Sequence, residues 1–334
     1  MSGRYLITGA TGFVGSHVVE ACVQRGIPWR TIARPASDIS RLKALSGEII
    51  PGDLNDPDIL EKASEDIEVV VHCAAKVGDW GPVSDYRQTN VDSLEKLISI
   101  CRKKPVRRFV HLSSLGVYEA RHHYQSTEET PMPALHLDGY TQSKVEAERL
   151  LAPELQIRQI PIVILRPGFI YGPRDRTVLP TIVKNLQRKV VRYVSGGKYA
   201  LNTTFVLNLV DAIFLAIEKP IAVGNIYNIT DGEFVSKKRF FETVANGLQL
   251  PRPGMGGPLW IAKRITRWVE GYARSRQWAE PPRLTMARLK FLGLNLDFSI
   301  EKAKAQLGYR PRYNFEDGMK MTLDWYRDQI TSPH

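Results

Sequence analysis

The sequence predicts an α/β fold, a doubly wound parallel sheet with a second, smaller domain interleaved toward its C-terminal end. Short, continuously apolar runs alternate with stretches of helical periodicity through the first half of the chain. Strands that are apolar on both sides indicate a parallel sheet covered by helices on both faces. The alternation ends near residue 175, and Pro and Gly concentrate later in PRPGMGGP (251–258).

The individual elements follow from these periodicities in chain order. Strands are predicted at 4–8, 28–33, 48–52, 68–75, 107–114 and 160–167. Helices are predicted at 12–25, 38–45, 57–63, 84–103 and 140–157. A late helix at 205–220 and a strand at 225–230 are expected to return to the sheet, whereas the rest of the chain after residue 175 shows no regular pattern.

This pattern divides the chain into two domains. The sheet-forming domain is expected to comprise residues 1–175 and 205–230, and the smaller domain residues 176–204 and 231–334. Ligands of open α/β sheets bind beyond the carboxyl ends of the strands. A smaller domain packed at that edge would form the far wall of the crevice and bind the substrate.

Composition indicates an intracellular globular protein of 334 residues. Its three cysteines, Cys22, Cys73 and Cys101, lie in apolar stretches without the spacing of metal ligands, which predicts reduced, buried thiols and no metal site. Residues 1–4 lack the features of a secretory signal, and no apolar run reaches the ~18 residues that span a bilayer. We expect a cytoplasmic protein, attached at most to the inner membrane surface.

The first strand is followed by GATGFVG (9–15), which opens the first helix. Gly9 would permit a tight turn, Gly12 the close approach of a pyrophosphate, and Gly15 tight packing of the helix on the strand. The spacing is Gly-x-x-Gly-x-x-Gly, and a glycine-rich turn without a ligand is the alternative. The context favours a Rossmann-type dinucleotide site. The loop residues expected to line it are Gly9, Thr11, Gly12, Phe13, Val14 and Gly15.

Residues after the second and third strands bear on the choice of nucleotide. Arg34 lies 19 residues beyond Gly15, where an acidic residue would bind a ribose 2′-hydroxyl and an arginine would bind a 2′-phosphate. Arg41 is a candidate for a second clamp, so NADP(H) is favoured over NAD(H), with a solvated strand-end arginine as the alternative. In GDL (52–54), Asp53 and Leu54 are expected beside the adenine, although a turn aspartate explains the motif equally well.

The stretch DGYTQSKVEAERLL (138–151) places Tyr140 and Lys144 four residues apart at the start of a predicted helix. Side chains at this spacing lie one above the other. The strand before it ends in Ser113 and Ser114, and the strand after it ends at 166–168, so these groups are expected to meet at the crevice. The spacing alone does not distinguish a proton-transfer pair from two neighbours on a helix.

Taken together, these motifs resemble the extended short-chain dehydrogenase/reductase family, within the NAD-dependent epimerase/dehydratase superfamily, over essentially the whole chain. The matching motifs are GATGFVG (9–15), GDL (52–54), HCAA (72–75), TNVDS (89–93), SSLGVY (113–118), YTQSK (140–144) and RPGFIYGP (166–173). The resemblance implies an enzyme that exchanges a hydride with a nicotinamide cofactor.

The resemblance also implies roles for individual residues. Tyr140 would be the acid–base group, its pKa brought toward the working pH by the Lys144 ammonium and an oxidised nicotinamide. Lys144 would also bind the nicotinamide ribose, and Ser114 would hydrogen-bond the substrate oxygen. Asn90 would lie near the proton relay. Further residues expected along the cofactor or the substrate are Ala74, Ala75, Pro167 and Gly168.

The stretch KVGDWGPVSDY (76–86) resembles the 3β-hydroxysteroid dehydrogenase and 2-alkyl-3-oxoalkanoate reductase branch of the family. The resemblance implies interconversion of a secondary alcohol and a ketone on a steroid-like, sterol-like or long-chain β-keto substrate. Trp80 would lie over the substrate, with a core or loop-anchoring tryptophan as the alternative. Dehydratases of the family carry an acidic pair where this chain has 115–117 (Leu-Gly-Val), which disfavours dehydration.

Two other functions stay open. A sugar-nucleotide epimerase with retained NAD is the first alternative, and a non-catalytic NAD(P)-sensing scaffold is the second. The scaffold would not require Ser114, Tyr140 and Lys144 together. By analogy with the family, a homodimer through 84–103 and 140–157 is expected.

Residues 251–290 carry nine of the basic side chains and two acidic ones, which is +7 of the net charge of +11. Within them, 259–276 is amphipathic, with aromatic and aliphatic side chains on one half and mostly basic ones on the other. An interfacial helix on an anionic membrane has this pattern, and so does a helix packed on its own domain with a solvated face. No nucleic-acid-binding module accompanies the charge, so nucleic acid is not an expected partner.

Overall fold

A seven-stranded parallel sheet forms the centre of this computed structural model, which describes residues 3–136, 138–276, 278 and 280–331. The strands of the described residues are β1 (Arg4–Thr8), β2 (Trp29–Ala33), β3 (Glu48–Pro51), β4 (Ile67–His72), β5 (Arg108–Leu112), β6 (His123–Ser126), β7 (Ile162–Pro167), β8 (Phe169–Tyr171), β9 (Arg192–Tyr193), β10 (Thr203–Phe205), β11 (Asn225–Ile229), β12 (Gly254–Met255) and β13 (Leu296–Phe298). The helices are α1 (Phe13–Gln24), α2 (Ser40–Lys43), α3 (Pro57–Ala63), α4 (Val83–Arg87), α5 (Ser93–Lys103), α6 (Gly139–Ile157), α7 (Val178–Gln187), α8 (Val206–Glu218), α9 (Lys237–Gly247), α10 (Leu259–Ser275), α11 (Met286–Gly293) and α12 (Phe315–Thr331).

The strand order in the sheet is β3-β2-β1-β4-β5-β7-β11. From β1 the chain runs outward to β3 and then returns to the other side of β1 at β4, so the direction of winding switches between β1 and β4. Thr8 and His72 are paired at the carboxyl ends of these two strands. The predicted doubly wound α/β fold is confirmed, and its ligand crevice is expected at this switch.

Successive side chains of the strands enter two apolar cores, one on each face of the sheet. Ile7 and Val71 pack with residues of α1 and α8, whereas Leu6 and Val70 pack with residues of α5 and α6. Both faces are therefore buried, which is why the strands are apolar throughout.

Two predicted helices differ in the structure. The predicted helix 38–45 is reduced to the single turn of α2. The predicted helix 84–103 is divided into α4 and α5 by a π-helical turn at Gln88–Asp92. The backbone stays helical through such a turn, so the residue pattern of one long helix did not reveal it.

The chain after residue 175 contains more regular structure than its pattern predicted. It holds α7 and α9 to α12, and the apolar faces of α7, α9, α11 and α12 share a third core that includes Leu179, Phe240 and Phe315. It also supplies strands to two-stranded parallel pairs, of which β13 with β6 joins Leu296 to His123. These helices are separated by loops, which hid the periodicity of each one.

The segment 205–230 returns to the large sheet as predicted, because β11 pairs with β7 and α8 packs on α1. The division into two domains at the stated boundaries stays a prediction. All three cysteines are free, but only Cys22 and Cys101 are buried; Cys73 is partly exposed, which corrects its prediction. Among the described residues, no helix has both the length and the apolar character needed to cross a bilayer.

Candidate active site

A crevice of about 640 Å³ lies beyond the carboxyl ends of β1, β4, β5 and β7. The predicted site residues that line it are Gly9, Thr11, Gly12, Phe13, Val14, Gly15, Arg41, Ala75, Ser114, Tyr140, Lys144, Pro167 and Gly168. The predicted site residues outside its lining are Arg34, Asp53, Leu54, Ala74, Trp80 and Asn90. The fold therefore brings together the glycine loop and the Ser114, Tyr140 and Lys144 side chains, which are far apart in the sequence.

The glycine loop is shaped for a close backbone approach. Gly9 has a φ of +70°, and a Cβ there would lie 2.8 Å from the Ala74 Cα atom. A Cβ on Gly15 would lie 2.3 Å from the Gly9 carbonyl oxygen, so helix α1 packs tightly on the loop. Gly12 is the residue before α1, and among the described residues no side chain caps that helix. Its first N–H groups are thus available to an anion in the crevice.

Arg174, which the sequence analysis did not select, lines the crevice with the glycine loop. Its side chain is only 10% exposed, and its Nη1 donates to Glu20 Oε1 at 2.6 Å. Its Nε and Nη2 are buried without a hydrogen-bond partner among the described residues. Its backbone has a φ of +72°, a left-handed conformation that is uncommon outside glycine. A buried guanidinium with two unused donors suits a phosphate oxygen.

Glu20 joins Arg174 to Arg41, whose Nη2 lies 2.5 Å from the same Oε1 atom. Burial raises the pKa of Glu20, but the hydrogen bonds from the two arginines outweigh it and leave the pKa lowered. Arg41 is therefore both at the crevice and already paired. Arg34 is exposed and forms no ion pair with any described residue, and its backbone carbonyl accepts from Ser37.

Asp53 acts in a turn. Its Oδ1 accepts from the Asn55 backbone N–H at 2.8 Å and from Asn55 Nδ2 at 3.1 Å. Leu54 is half-buried and packs against the core beneath α5 and α6. The Ala74 N–H donates to Thr8 Oγ1 at 3.2 Å, which fixes the loop after β4 rather than facing the crevice.

Tyr140 and Lys144 stand at the start of α6, which Asp138 caps by accepting from the Thr141 N–H at 2.8 Å. The Lys144 Nζ donates to the Leu112 carbonyl oxygen at 2.7 Å, and burial lowers the pKa of this lysine to about 8. Ser114 hydrogen-bonds the Tyr140 phenol. The three side chains thus meet at one wall of the crevice.

The protein's own groups do not lower the pKa of Tyr140 as expected. Desolvation raises the pKa of this phenol to about 12, and the hydrogen bond from Ser114 opposes the rise only in part. The Lys144 ammonium is directed at a backbone carbonyl rather than at the phenol. Tyr140 is therefore held as a neutral phenol, which can donate a proton.

Asn90 lies in the π-helical turn and is buried. Its side chain accepts from the Lys76 N–H at 2.7 Å, donates to the Lys76 carbonyl at 3.0 Å and donates to Ser143 Oγ at 2.8 Å. These contacts join the loop after β4 to α6 at Ser143, which lies between Tyr140 and Lys144 in the sequence. In this arrangement Asn90 positions the two segments.

Trp80 is turned away from the crevice. Its Nε1 donates to the Trp278 carbonyl at 3.0 Å, and the Arg274 guanidinium lies 4.9 Å from its ring centroid. The neighbouring Val77 and Asp79 line the crevice instead. Trp80 anchors the loop, which is the alternative that the sequence analysis gave, and it is not among the residues that line the crevice.

A buried network supports the wall that carries Ser114. The Arg166 Nη2 and the Glu148 Oε2 atoms are 2.5 Å apart in an ion pair that is almost wholly enclosed. Arg166 also donates to the Tyr118 hydroxyl at 2.6 Å, and Glu148 accepts from Ser113. This network joins β5, α6 and β7, so it holds the serine segment against the tyrosine helix.

Helix α11 forms the opposite wall, with Ala287, Lys290 and Phe291 in the lining. The Lys290 Nζ donates to the carbonyl oxygens of Gly116 at 2.8 Å and Tyr118 at 3.1 Å, and burial lowers the pKa of its ammonium to about 8. The sequence analysis gave these residues no role at the site. A lysine within an apolar stretch was the available signal, but its partners lie 172 to 174 residues away.

Comparison with known proteins agrees with this geometry. The model of the NAD dependent epimerase/dehydratase family matches residues 5–230. A 3 beta-hydroxysteroid dehydrogenase/Delta 5-->4-isomerase of Mycobacterium tuberculosis is 30% identical, over 97% of this chain and 90% of that protein. A 2-alkyl-3-oxoalkanoate reductase of Stenotrophomonas maltophilia is 29% identical, over 95% of this chain and 97% of that protein. The crystal structure of gox2253 superimposes with a TM-score of 0.81 at 28% identity and covers 98% of both chains.

Proposed function

We propose that this chain reduces a ketone on a steroid-like or long-chain β-keto substrate, or oxidises the corresponding alcohol. The chain belongs to the NAD dependent epimerase/dehydratase family and is an NAD(P)-dependent enzyme of the short-chain dehydrogenase/reductase type. The observation that carries the proposal is the meeting of Ser114, Tyr140 and Lys144 at one wall of a crevice whose other wall is largely apolar.

In the direction of reduction, the substrate oxygen would lie against Ser114 and Tyr140. A nicotinamide held in the crevice would supply a hydride to the carbonyl carbon. The Tyr140 phenol gives its proton to the carbonyl oxygen, and the Ser114 hydroxyl donates a hydrogen bond to that oxygen as negative charge grows on it. Lys144, held by the Leu112 carbonyl, keeps a positive charge close to the phenolate that forms.

The glycine loop and Arg174 fit the phosphates of a dinucleotide. The uncapped start of α1 offers backbone donors, and Arg174, which lines the same crevice, has two buried nitrogens without a hydrogen-bond partner among the described residues. We favour NADP(H) because Arg34 is exposed after β2 and no carboxylate of the described residues pairs with it. Asp38 also lines the crevice there, and it is the residue that would favour NAD(H).

The apolar substrate is supported by the side chains on the wall opposite Tyr140. Those from the loop after β4, from β8 and from α11 are Val77, Phe169, Ala287 and Phe291. A sugar nucleotide would need free charged groups on this wall, and the Lys290 ammonium is already hydrogen-bonded to two backbone carbonyl oxygens. The homodimer stays a prediction by analogy with the family, and the cytoplasmic location stays a prediction from the sequence.

The test is the oxidation of NADPH, beside NADH, with 3-keto steroids and long-chain β-keto lipids. We expect turnover with NADPH, and a fall in kcat of about 10²- to 10⁴-fold in Tyr140→Phe with cofactor binding unchanged. The matched control is Tyr124→Phe, because Tyr124 is exposed and is not among the residues that line the crevice.

Each other result has a definite meaning. Turnover with NADH alone would keep the reaction and overturn the cofactor preference. A tightly retained NAD with epimerisation of UDP-sugars would replace the proposal by the epimerase. Undiminished turnover in Tyr140→Phe would contradict the mechanism, and cofactor binding without any turnover would favour the scaffold.

A further inference from the structure

Helix α10 turns its apolar half away from the protein. Trp268 is 74% exposed, Trp260 is 64% exposed and Ile265 is 57% exposed. Ile261 and Tyr272 are exposed on the same side. Single exposed apolar side chains are ordinary on a protein surface, whereas a contiguous set with two tryptophans marks an interaction surface.

The inward half of α10 carries small and polar side chains beyond Leu259, and it holds α11. Thr266, Glu270 and Ala273 are buried, and the Glu270 Oε2 accepts from the Met286 N–H at 2.7 Å at the start of α11. The Oε1 atom of the same carboxylate accepts from Arg274 at 2.8 Å. Packing on its own domain, the alternative from the sequence, therefore does not account for the exposed tryptophans.

Positive charge lies among and beside these apolar side chains. Arg264 and Arg267 are exposed on α10, and Arg276 and Arg283 are exposed just after it. Within the described residues from 259 to 283 the acidic side chains are Glu270, which is buried, and Glu280. Aromatic side chains interleaved with arginines on an exposed helix suit the interface of a membrane that contains anionic lipid.

The surface lies beside the substrate wall of the crevice. Helix α10 packs on α11, which supplies Ala287 and Phe291 to the lining. Trp278, exposed just beyond α10, is bonded through its carbonyl to Trp80 in the loop that also lines the crevice. A membrane in contact with α10 would therefore lie close to the substrate end of the crevice.

We propose that the outward face of α10 (Trp260, Ile261, Arg264, Ile265, Arg267, Trp268 and Tyr272) docks on an anionic membrane surface, from which an apolar substrate enters the crevice. The docking is independent of the reaction, whereas the entry of substrate rests on the proposed function. The helix would lie in the interface, because no described helix is fit to cross a bilayer.

The first experiment is co-sedimentation of the full chain with vesicles of phosphatidylcholine alone or with 30% phosphatidylglycerol. We expect binding to the anionic vesicles that weakens with salt, together with a blue shift of tryptophan fluorescence on binding. Trp260→Ala combined with Trp268→Ala should weaken this binding at least tenfold, as should Arg264→Glu combined with Arg267→Glu. Phe234→Ala is the matched control, since Phe234 is 63% exposed elsewhere on the surface.

Absence of binding to anionic vesicles, or equal binding by the double tryptophan variant, would overturn the docking. The docking would also be overturned if sedimentation equilibrium showed that Trp260 and Trp268 hold two copies of the chain together while vesicles are not bound. Turnover of a detergent-solubilised ketone separates this proposal from the proposed function. The tryptophan variant should keep that turnover and lose the stimulation by anionic vesicles, whereas failure of the reaction itself would leave vesicle binding intact.

Discussion

Helices α6 and α10 are similar in length, and they depart from the usual placement of polar and apolar side chains in opposite directions. On α6, the side chains of Lys144, Glu148 and Glu154 are buried. On α10, Trp260 and Trp268 are exposed. Charged residues are almost never fully buried unless they are paired, and large exposed apolar surfaces generally have a partner. The two departures identify the proposed chemistry and the proposed docking surface.

The two helices differ in whether these unusual side chains have partners within the chain. The buried carboxylates of α6 have partners in the chain: Glu148 is paired with the buried Arg166, and one oxygen of Glu154 is paired with the half-exposed Arg102. The burial of Glu148 is therefore stable only while both members of its pair remain. The tryptophans of α10 have little cover from this chain, so their removal should cost the folded protein little.

The largest expected effect comes from breaking a buried pair on α6. Glu148→Gln should lower the free energy of unfolding by about 3–5 kcal/mol, because it leaves the Arg166 charge buried without its counter-ion. Urea denaturation measures the loss. The control on the same helix is Glu146→Gln, whose partner Arg87 has a side chain 58% exposed, and it should cost less than about 1 kcal/mol. Equal losses would show that burial does not distinguish the two pairs.

Arg174 sharpens the comparison, since it is a buried charge whose donors are only partly used. Arg174→Met should raise the Kd for NADPH by roughly tenfold to a hundredfold, the range for a lost charge-assisted hydrogen bond. Quenching of protein fluorescence on cofactor binding gives the Kd without turnover. Arg188→Met is the control, because that side chain is exposed and does not line the crevice. Unchanged affinity in Arg174→Met would remove this arginine from the cofactor site.

The pH dependence tests the burial of Lys144 directly. Its folded pKa is lowered to about 8, so the ammonium predominates below pH 8 and is lost as the pH rises through that value. Reduction should then fall about tenfold per pH unit above 8. In the unfolded chain Lys144 has a higher pKa and keeps its proton to higher pH. Between the folded and the unfolded pKa, the free energy of unfolding therefore rises with pH. Parallel unfolding measurements therefore show whether lost activity reflects lost structure, and a flat rate up to pH 10 would contradict a role for the ammonium.

The smallest expected effect is on α10. Trp268→Ala should change the free energy of unfolding by no more than about 0.5 kcal/mol, as surface substitutions usually do. Leu151→Ala, at a wholly buried apolar position of α6, should cost about 2–5 kcal/mol by leaving a cavity. Thermal unfolding of both variants compares them. A large loss in Trp268→Ala would mean that the tryptophan is packed in the folded chain, and the docking surface would lose its basis.

Local features of the site could be predicted from the sequence, because they depend on spacing within one loop or one helix turn. The glycine loop at 9–15 and the pair Tyr140 and Lys144 are of this kind, and all of them line the crevice. Arg174 could not be predicted in the same way, since its partner Glu20 is 154 residues away and only the fold joins them.

Where the sequence analysis offered two interpretations, the contacts of the folded chain favour one of them. Trp80 was expected over the substrate, and its bond to Trp278 makes it an anchor. Asp53 was expected at the adenine, and its bonds to Asn55 make it a turn residue. The outward direction of the α10 tryptophans was equally hidden, because a helical wheel shows which residues share a face but not which face meets the protein.

The pairing of β6 with β13 has a consequence for the synthesis of the chain. His123 and Leu296 are partners in this ladder, so β6 leaves the ribosome long before β13 exists. At roughly 5–20 residues per second, the ~170 intervening residues take on the order of 10 to 30 seconds to make. During that interval β6 is an unpaired edge, which is exposed to association with other nascent chains. We expect the nucleotide half of the crevice to form first, and the wall built on α11 to close it only near the end of translation.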